Sequence, residues 1–115
     1  VVNRPRKHPT PVLVADKPWE GERAQAWGSV ILEPDGRLRL WYFAFNTQRR
    51  PGELDRGGYA LAESRDGIHW VRPKLGLFEV DGSRENNVVL HEPPFCHNFS
   101  PMLDSRPGVD PAERF

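Results

Sequence analysis

The chain has little of what usually settles a protein's class at a glance. One cysteine, Cys96, stands among 115 residues, which excludes an intramolecular disulfide framework. No apolar run approaches the ~20 residues that cross a bilayer as a helix, so no membrane partner is expected. Neither sign of charge is in excess, because 16 basic and 16 acidic side chains are interspersed and the formal net charge is zero. That leaves no basic stripe for a phosphate backbone, and nucleic acid is not an expected partner. His8 and His91 have no partners at metal-ligand spacing, so no metal and no other cofactor is expected. The start, Val1-Val-Asn-Arg-Pro-Arg6, lacks the apolar core of a signal peptide and an initiator Met. It reads as a processed chain or a fragment and leaves the compartment unknown. Cys96 beside His97 reads as a small half-buried residue rather than a nucleophile.

Helix signals are also scarce. Glu20 to Ala26 has helix-compatible residues without an apolar stripe at i, i+3, i+4, and Pro111 to Phe115 is too short to judge. Proline, by contrast, is plentiful: 12 residues, about twice the usual ~5% share. The prolines fall mostly outside the strand-like runs, where a missing N–H costs no ladder bond.

What is present reads as all-β with long loops. Four short strands are expected between Trp27 and Val71: Trp27 to Leu32, Arg37 to Phe45, Tyr59 to Ser64 and Ile68 to Val71. Asp35-Gly36 joins the first pair and Asp66-Gly67 the last, while a looser loop, Asn46 to Gly58, separates the middle two. Tyr59, Leu61 and Glu63 alternate with Ala60, Ala62 and Ser64, so one face is large and the other small. From Trp41 to Phe45 both faces are apolar, as in a strand covered on both sides. An antiparallel meander of this size is what one β-propeller blade looks like. Beyond Pro73 the pattern loosens. Lys74 to Gly82 has room for a short strand, Asn87 to Leu90 is a strand candidate, and His91 to Asn98 is a loop around Pro93-Pro94. Phe99 to Leu103 looks like another strand, followed by a turn and the start of its partner. The expected organisation is an N-terminal arm over 1–26, a first blade over 27–73, a connection over 74–98, and the start of a second blade over 99–115.

At Ser64-Arg-Asp-Gly-Ile-His-Trp70 the chain resembles a hairpin that recurs in five-bladed propeller glycoside hydrolases, the invertase, levansucrase and arabinanase groups and their relatives. The pattern is Ser, any residue, Asp-Gly, two residues, Trp. Its roles suit a turn: Asp66 accepts from backbone N–H groups, Gly67 supplies positive φ, and Trp70 packs back over the sheet. Lys17-Pro-Trp-Glu20, Arg37-Leu-Arg-Leu-Trp-Tyr42 and Asn98-Phe-Ser-Pro-Met-Leu-Asp104 resemble bacterial glycosyl hydrolase family 32-like hypothetical proteins. So do Arg106-Pro-Gly108 and Glu113-Arg-Phe115. Together these pieces cover most of 17–115. The resemblance implies the N-terminal fragment of such a propeller, whose full-length protein hydrolyses a glycosidic bond in a glycan or oligosaccharide. It also shows a departure. The family's nucleophilic Asp at the start of the first innermost strand is replaced here by Ala26-Trp27-Gly28, and Ser100 stands where the Asp before a Pro would be. The family's Glu acid, from a third blade, has no counterpart in these residues.

The candidate site follows from that departure. Glu20, just before the inner strand, is a candidate catalytic carboxylate with Trp19 as a sugar-stacking platform; the plainer alternative is a surface Glu pairing with Arg23. Asp104 is the second catalytic candidate, against a turn-stabilising role among Ser105 to Gly108. His97 and Asn98, at the expected mouth of the channel, can hydrogen-bond sugar hydroxyls, and Arg106 is assigned to the same substrate-binding set. His69 reads as an outward strand residue. Three functional readings result: a glycoside-hydrolase-like segment, a non-catalytic carbohydrate-binding or scaffold propeller, or a piece inactive alone. With one blade, the apolar faces of Trp41 to Phe45 need either missing blades, a second copy, or cover from the N-terminal arm and Pro-rich loops.

Overall fold

The computed structural model describes residues 3–45, 58–91 and 98–115, with Phe45 as backbone only. Its centre is one antiparallel sheet of five strands: β1 (Arg23–Gln25), β2 (Val30–Leu32), β3 (Leu38–Phe45), β4 (Gly58–Ser64) and β5 (Val88–Leu90). The all-β expectation therefore holds. β3 and β4 are the long strands, in register from Leu38 opposite Ser64 to Ala44 opposite Gly58. β4 fills one edge of β3, so β1 and β2 share the other, β1 against Phe43 to Phe45 and β2 against Leu38 to Leu40.

The expected first strand, Trp27 to Leu32, is thus a split one that begins earlier, at Arg23. Gly28 gives the reason. A Cβ built on it would lie 1.9 Å from the carbonyl oxygen of Trp41, a distance no side chain tolerates. The chain passes so close to β3 here that residues 26–28 leave the ladder and turn Trp27 outward, as a bulge re-aims a side chain. The Ser29 carbonyl rejoins it by accepting from Trp41 N at 3.0 Å.

The expected fourth strand, Ile68 to Val71, is also corrected. Only Val71 meets the sheet, through one bridge to Glu63. Further along, the same edge of β4 is filled by β5 with Tyr59 opposite Leu90 and Ala60 opposite Val88. The turn itself consumes the intervening donors. Asp66 Oδ1 accepts from Ile68 N and His69 N, both at 2.8 Å, and Ser64 Oγ accepts from Asp66 N and Gly67 N. Those N–H groups are unavailable to a ladder. Gly67 has φ +74° and Trp70 donates to its carbonyl at 3.0 Å, as a turn residue with Trp packed over it should. Phe99 to Leu103 forms no strand, and Lys74 to Gly82 holds only the bridge between Val80 and Ser83 around Asp81-Gly82. Pro111 to Glu113 is a 3-10 turn rather than the start of a partner strand.

β3 is covered on both sides, as its sequence requires. Leu40, Tyr42 and Ala44 pack with Ala60 and Ala62 on one face, against Leu13, Ala24 and Trp70. On the other, Phe43 meets Trp27 and Tyr59, Tyr59 meets Phe99, and Trp41 meets Phe115. The cover thus comes from the N-terminal arm on one side and from residues 99–115 on the other. Each large side chain fully buried in this way is worth about 1.5–3 kcal/mol.

Two glycines should therefore resist substitution for different reasons. Gly67→Val has room for its side chain, which meets only Leu38 at 3.5 Å, so its cost is backbone strain, about 1–3 kcal/mol. Gly28→Ala must push β2 off β3 and should lower the urea midpoint further. Equal midpoints for wild type and either variant would refute the corresponding assignment. The Asp66 carboxyl is held well below the usual range by its bonds to the His69 side chain and to the turn's backbone N–H groups. A depressed carboxyl stabilises the fold above its unfolded value, about pH 3.9, and that stabilisation fades as pH falls towards the folded value. The stability gap between wild type and Asp66→Asn should accordingly be full at neutral pH and shrink below about pH 4.

Candidate functional site

The sheet separates the candidate residues. Trp19 and Glu20 lie on the face of Tyr42 and Ala44. Asn98, Asp104 and Arg106 belong to the segment that covers the Trp41 and Phe43 face. His97 lies outside the described residues.

Glu20 ends the 3-10 turn Pro18–Glu20 and is fully buried. Its carboxylate accepts from the backbone N of Asp16 at 2.9 Å and of Lys17 at 3.0 Å. Tyr42 Oη donates to it at 2.5 Å, and Arg72 donates through Nε at 2.5 Å and Nη2 at 3.1 Å. Its charge partner is Arg72, not Arg23. Burial first, and the Glu20 bond second, hold the Tyr42 phenol above its ordinary value, so it stays protonated and donates. Asn87, fully buried, donates to Tyr42 Oη at 2.8 Å and to the Leu61 carbonyl at 2.7 Å, and accepts from Trp19 Nε1 at 2.7 Å. With no exposed surface and five donors around it, Glu20 in this structure ties the arm to the sheet.

Asp104 is held in a fork. Arg106 donates Nε to both carboxylate oxygens at 3.0 Å and Nη2 to Oδ2 at 2.6 Å. The Arg106 side-chain bond, then its backbone N–H, keep the Asp104 carboxyl below the usual carboxylate range. A carboxylate so held accepts and does not donate, which suits a turn brace and not a general acid. Arg106 itself is exposed on the solvent side.

Asn98 takes φ +55° and is exposed. Immediately after it, Phe99 N donates to Tyr59 Oη at 3.0 Å, and Tyr59 Oη donates in turn to the Trp27 carbonyl at 3.5 Å. Ser100 Oγ meets Ser29 Oγ at 2.7 Å. These bonds seam the start of β2 to residues 98–100. Trp27 lies at this rim with 62% of its surface exposed and one ring face against Phe43, centroids 6.2 Å apart and planes within 13°. A largely exposed aromatic ring on the stretch that this seam joins can stack a sugar ring, and the Ser29 and Ser100 hydroxyls can hydrogen-bond one.

Trp27, Ser29 and Ser100 lie along this seam and stand outside the candidate set read from the sequence. The available signal was Gly28: a glycine inside a strand pattern marks a bulge or a close backbone approach, and Trp27 before it is then turned out of the ladder. Among the described residues no group of three or more acidic, His or Cys side chains could hold a metal ion, and no helix is long and apolar enough to cross a membrane.

Comparison with known proteins returns no match for this chain from family models, from curated proteins or from solved structures.

Glu20→Ala takes from Arg72 its buried partner and leaves it only the half-exposed Asp16 at 3.2 Å and the Val14 carbonyl at 2.6 Å. We expect a loss of about 3 kcal/mol, the lower end of the range for breaking a buried pair from one side because Asp16 still faces Arg72, read by urea denaturation. A variant that keeps its midpoint but loses ligand binding would return Glu20 to the functional set.

Proposed function

We propose that the chain is the carbohydrate-facing part of a glycoside-hydrolase-like five-bladed propeller, with its sugar contact at the rim of Trp27, Ser29, Asn98 and Ser100. The observation that carries this reading is the 2.7 Å contact between the Ser29 and Ser100 hydroxyls. Propeller blades repeat radially around a central channel, so successive innermost strands begin side by side there. Ser29 stands just before β2, and Ser100 stands where the resemblance begins the second blade. Their contact supports that reading.

Fold alone does not fix function, so the chemistry of the rim has to support the reading. Trp27 offers an apolar platform, and the serine hydroxyls and the Asn98 amide offer both donors and acceptors. Hydrolysis asks for more: two carboxyls about 5–9.5 Å apart on either side of the bond. Glu20 and Asp104 lie on opposite sides of the sheet, and each is held in an ion pair. Of the two carbohydrate readings, recognition by this segment is therefore better supported than catalysis by its own Glu20 and Asp104. In the full-length hydrolase reading, the acid comes from another blade.

A glycan array followed by calorimetry on the full chain tests this. Trp27→Ala should weaken sugar binding by at least about tenfold, as loss of a central aromatic contact does. Its cost in stability should stay within about 1–2 kcal/mol, because the ring is mostly exposed. Binding unchanged in Trp27→Ala, or no glycan bound at all, overturns the proposal. Turnover of aryl glycosides that survives Glu20→Gln and Asp104→Asn would show that the acid pair lies elsewhere.

A further inference from the structure

The opposite face of the sheet holds a second feature with the character of a binding site. Trp19, half-buried, borders three adjoining cavities of about 210, 390 and 130 Å³. The first and second share Trp19, Val80 and Asp81, and the second and third share Trp19, Lys74 and Glu85. They form one groove bent around a single indole ring.

That ring is fixed from below. Its Nε1 donates at 2.7 Å to Asn87, which is fully buried and itself bonded to Tyr42 and Leu61. The indole edge is thereby anchored in the sheet, and little rotamer freedom remains to be lost when a ligand settles on its face. Ala44, Val80 and Val88 continue the apolar floor in the first cavity, beside Glu79, Asp81 and His91. Further round the ring stand Ser83 and the Lys74–Glu85 pair, bonded at 3.0 Å.

We propose that this groove is a second carbohydrate-binding site, separate from the Trp27 rim and independent of what binds there. A sugar ring has an apolar C–H face that matches a fixed indole. It also has hydroxyls that both donate and accept, and the rim supplies both kinds of partner: carboxylates at Glu79, Asp81 and Glu85, an ammonium at Lys74 and an imidazole at His91. A purely apolar ligand would strip water from those carboxylates without replacing its hydrogen bonds. A small organic cation would find acceptors but also the Lys74 charge at the same rim.

The test follows the indole N–H signals of the full chain by NMR during titration with neutral cello-, xylo-, arabino- and fructo-oligosaccharides. Trp19→Phe, which keeps an aromatic floor but has no indole N–H, assigns the Trp19 signal by its absence. A small amine serves as the cationic comparison. The expected result is a sugar-dependent shift of the Trp19 signal in wild type and in Trp27→Ala alike, weakened roughly tenfold by Glu79→Gln, the worth of one charge-assisted hydrogen bond. Silence of Trp19 towards every sugar overturns the proposal, as does a response to the amine alone. A Trp19 response that disappears in Trp27→Ala would join the two sites into one and overturn their separation. If Trp19 responds while Trp27 does not, the groove stands and the rim reading falls.

Discussion

The bond system around Glu20 is the interaction on which the rest of the molecule depends. It joins four stretches of chain that are far apart in sequence: the arm at Val14 to Lys17, β3 at Tyr42, Arg72 after the turn, and Asn87 before β5. Arg72 carries the link outward, donating Nη2 to the Val14 carbonyl at 2.6 Å. A buried pair of this kind contributes through geometry more than through net attraction, because desolvation offsets much of the Coulomb gain. Here the geometry fixes which face of the sheet the arm covers and where Trp19 sits. Both consequences come from a residue that its sequence context offered as a catalytic carboxylate.

The middle of the sheet was legible in the sequence because its signals are local. Alternation, small residues on one face and Asp-Gly turns define β3 and β4 almost to the residue. The outer parts were not legible, for reasons that are not local. The break between β1 and β2 comes from a backbone approach between Gly28 and Trp41, which no periodicity records. Ile68 to Val71 look well enough like a strand, yet the Asp66 side chain claims the N–H groups of Ile68 and His69 first. β5 is found as a strand candidate, but its partner is set by an excursion of the chain between Val71 and Val88.

The candidate site divides in the same way. Trp19 is legible as an aromatic platform, and the structure places it along a groove with Glu79, Asp81 and His91. Asp81-Gly82 reads in sequence only as a turn, and the positive φ values of 49° and 77° bear that out. Its position beside Trp19 depends on the whole path from Arg72 to Asn87. Glu20 and Asp104 show the complementary limit. Each is a carboxylate in a suggestive place, and each has an arginine partner that only the fold, or the turn, brings to it.

The two broken outer lanes have a bearing on how the chain avoids sticking to itself. A long, flat, unpaired strand edge is a template for further pairing, and apolar β-rich segments such as Leu40 to Ala44 are the usual cores of fibrils. That segment is paired along its whole length by β4 on one side; on the other, β2 meets Leu40 and β1 meets Phe43 and Ala44, with the bond from Trp41 N to the Ser29 carbonyl between them. Among the described residues the edges left outermost are β1, β2 and β5, each three residues long. Too short to seed a ladder, they let a sequence with an aggregation-prone centre present only interrupted margins to its neighbours.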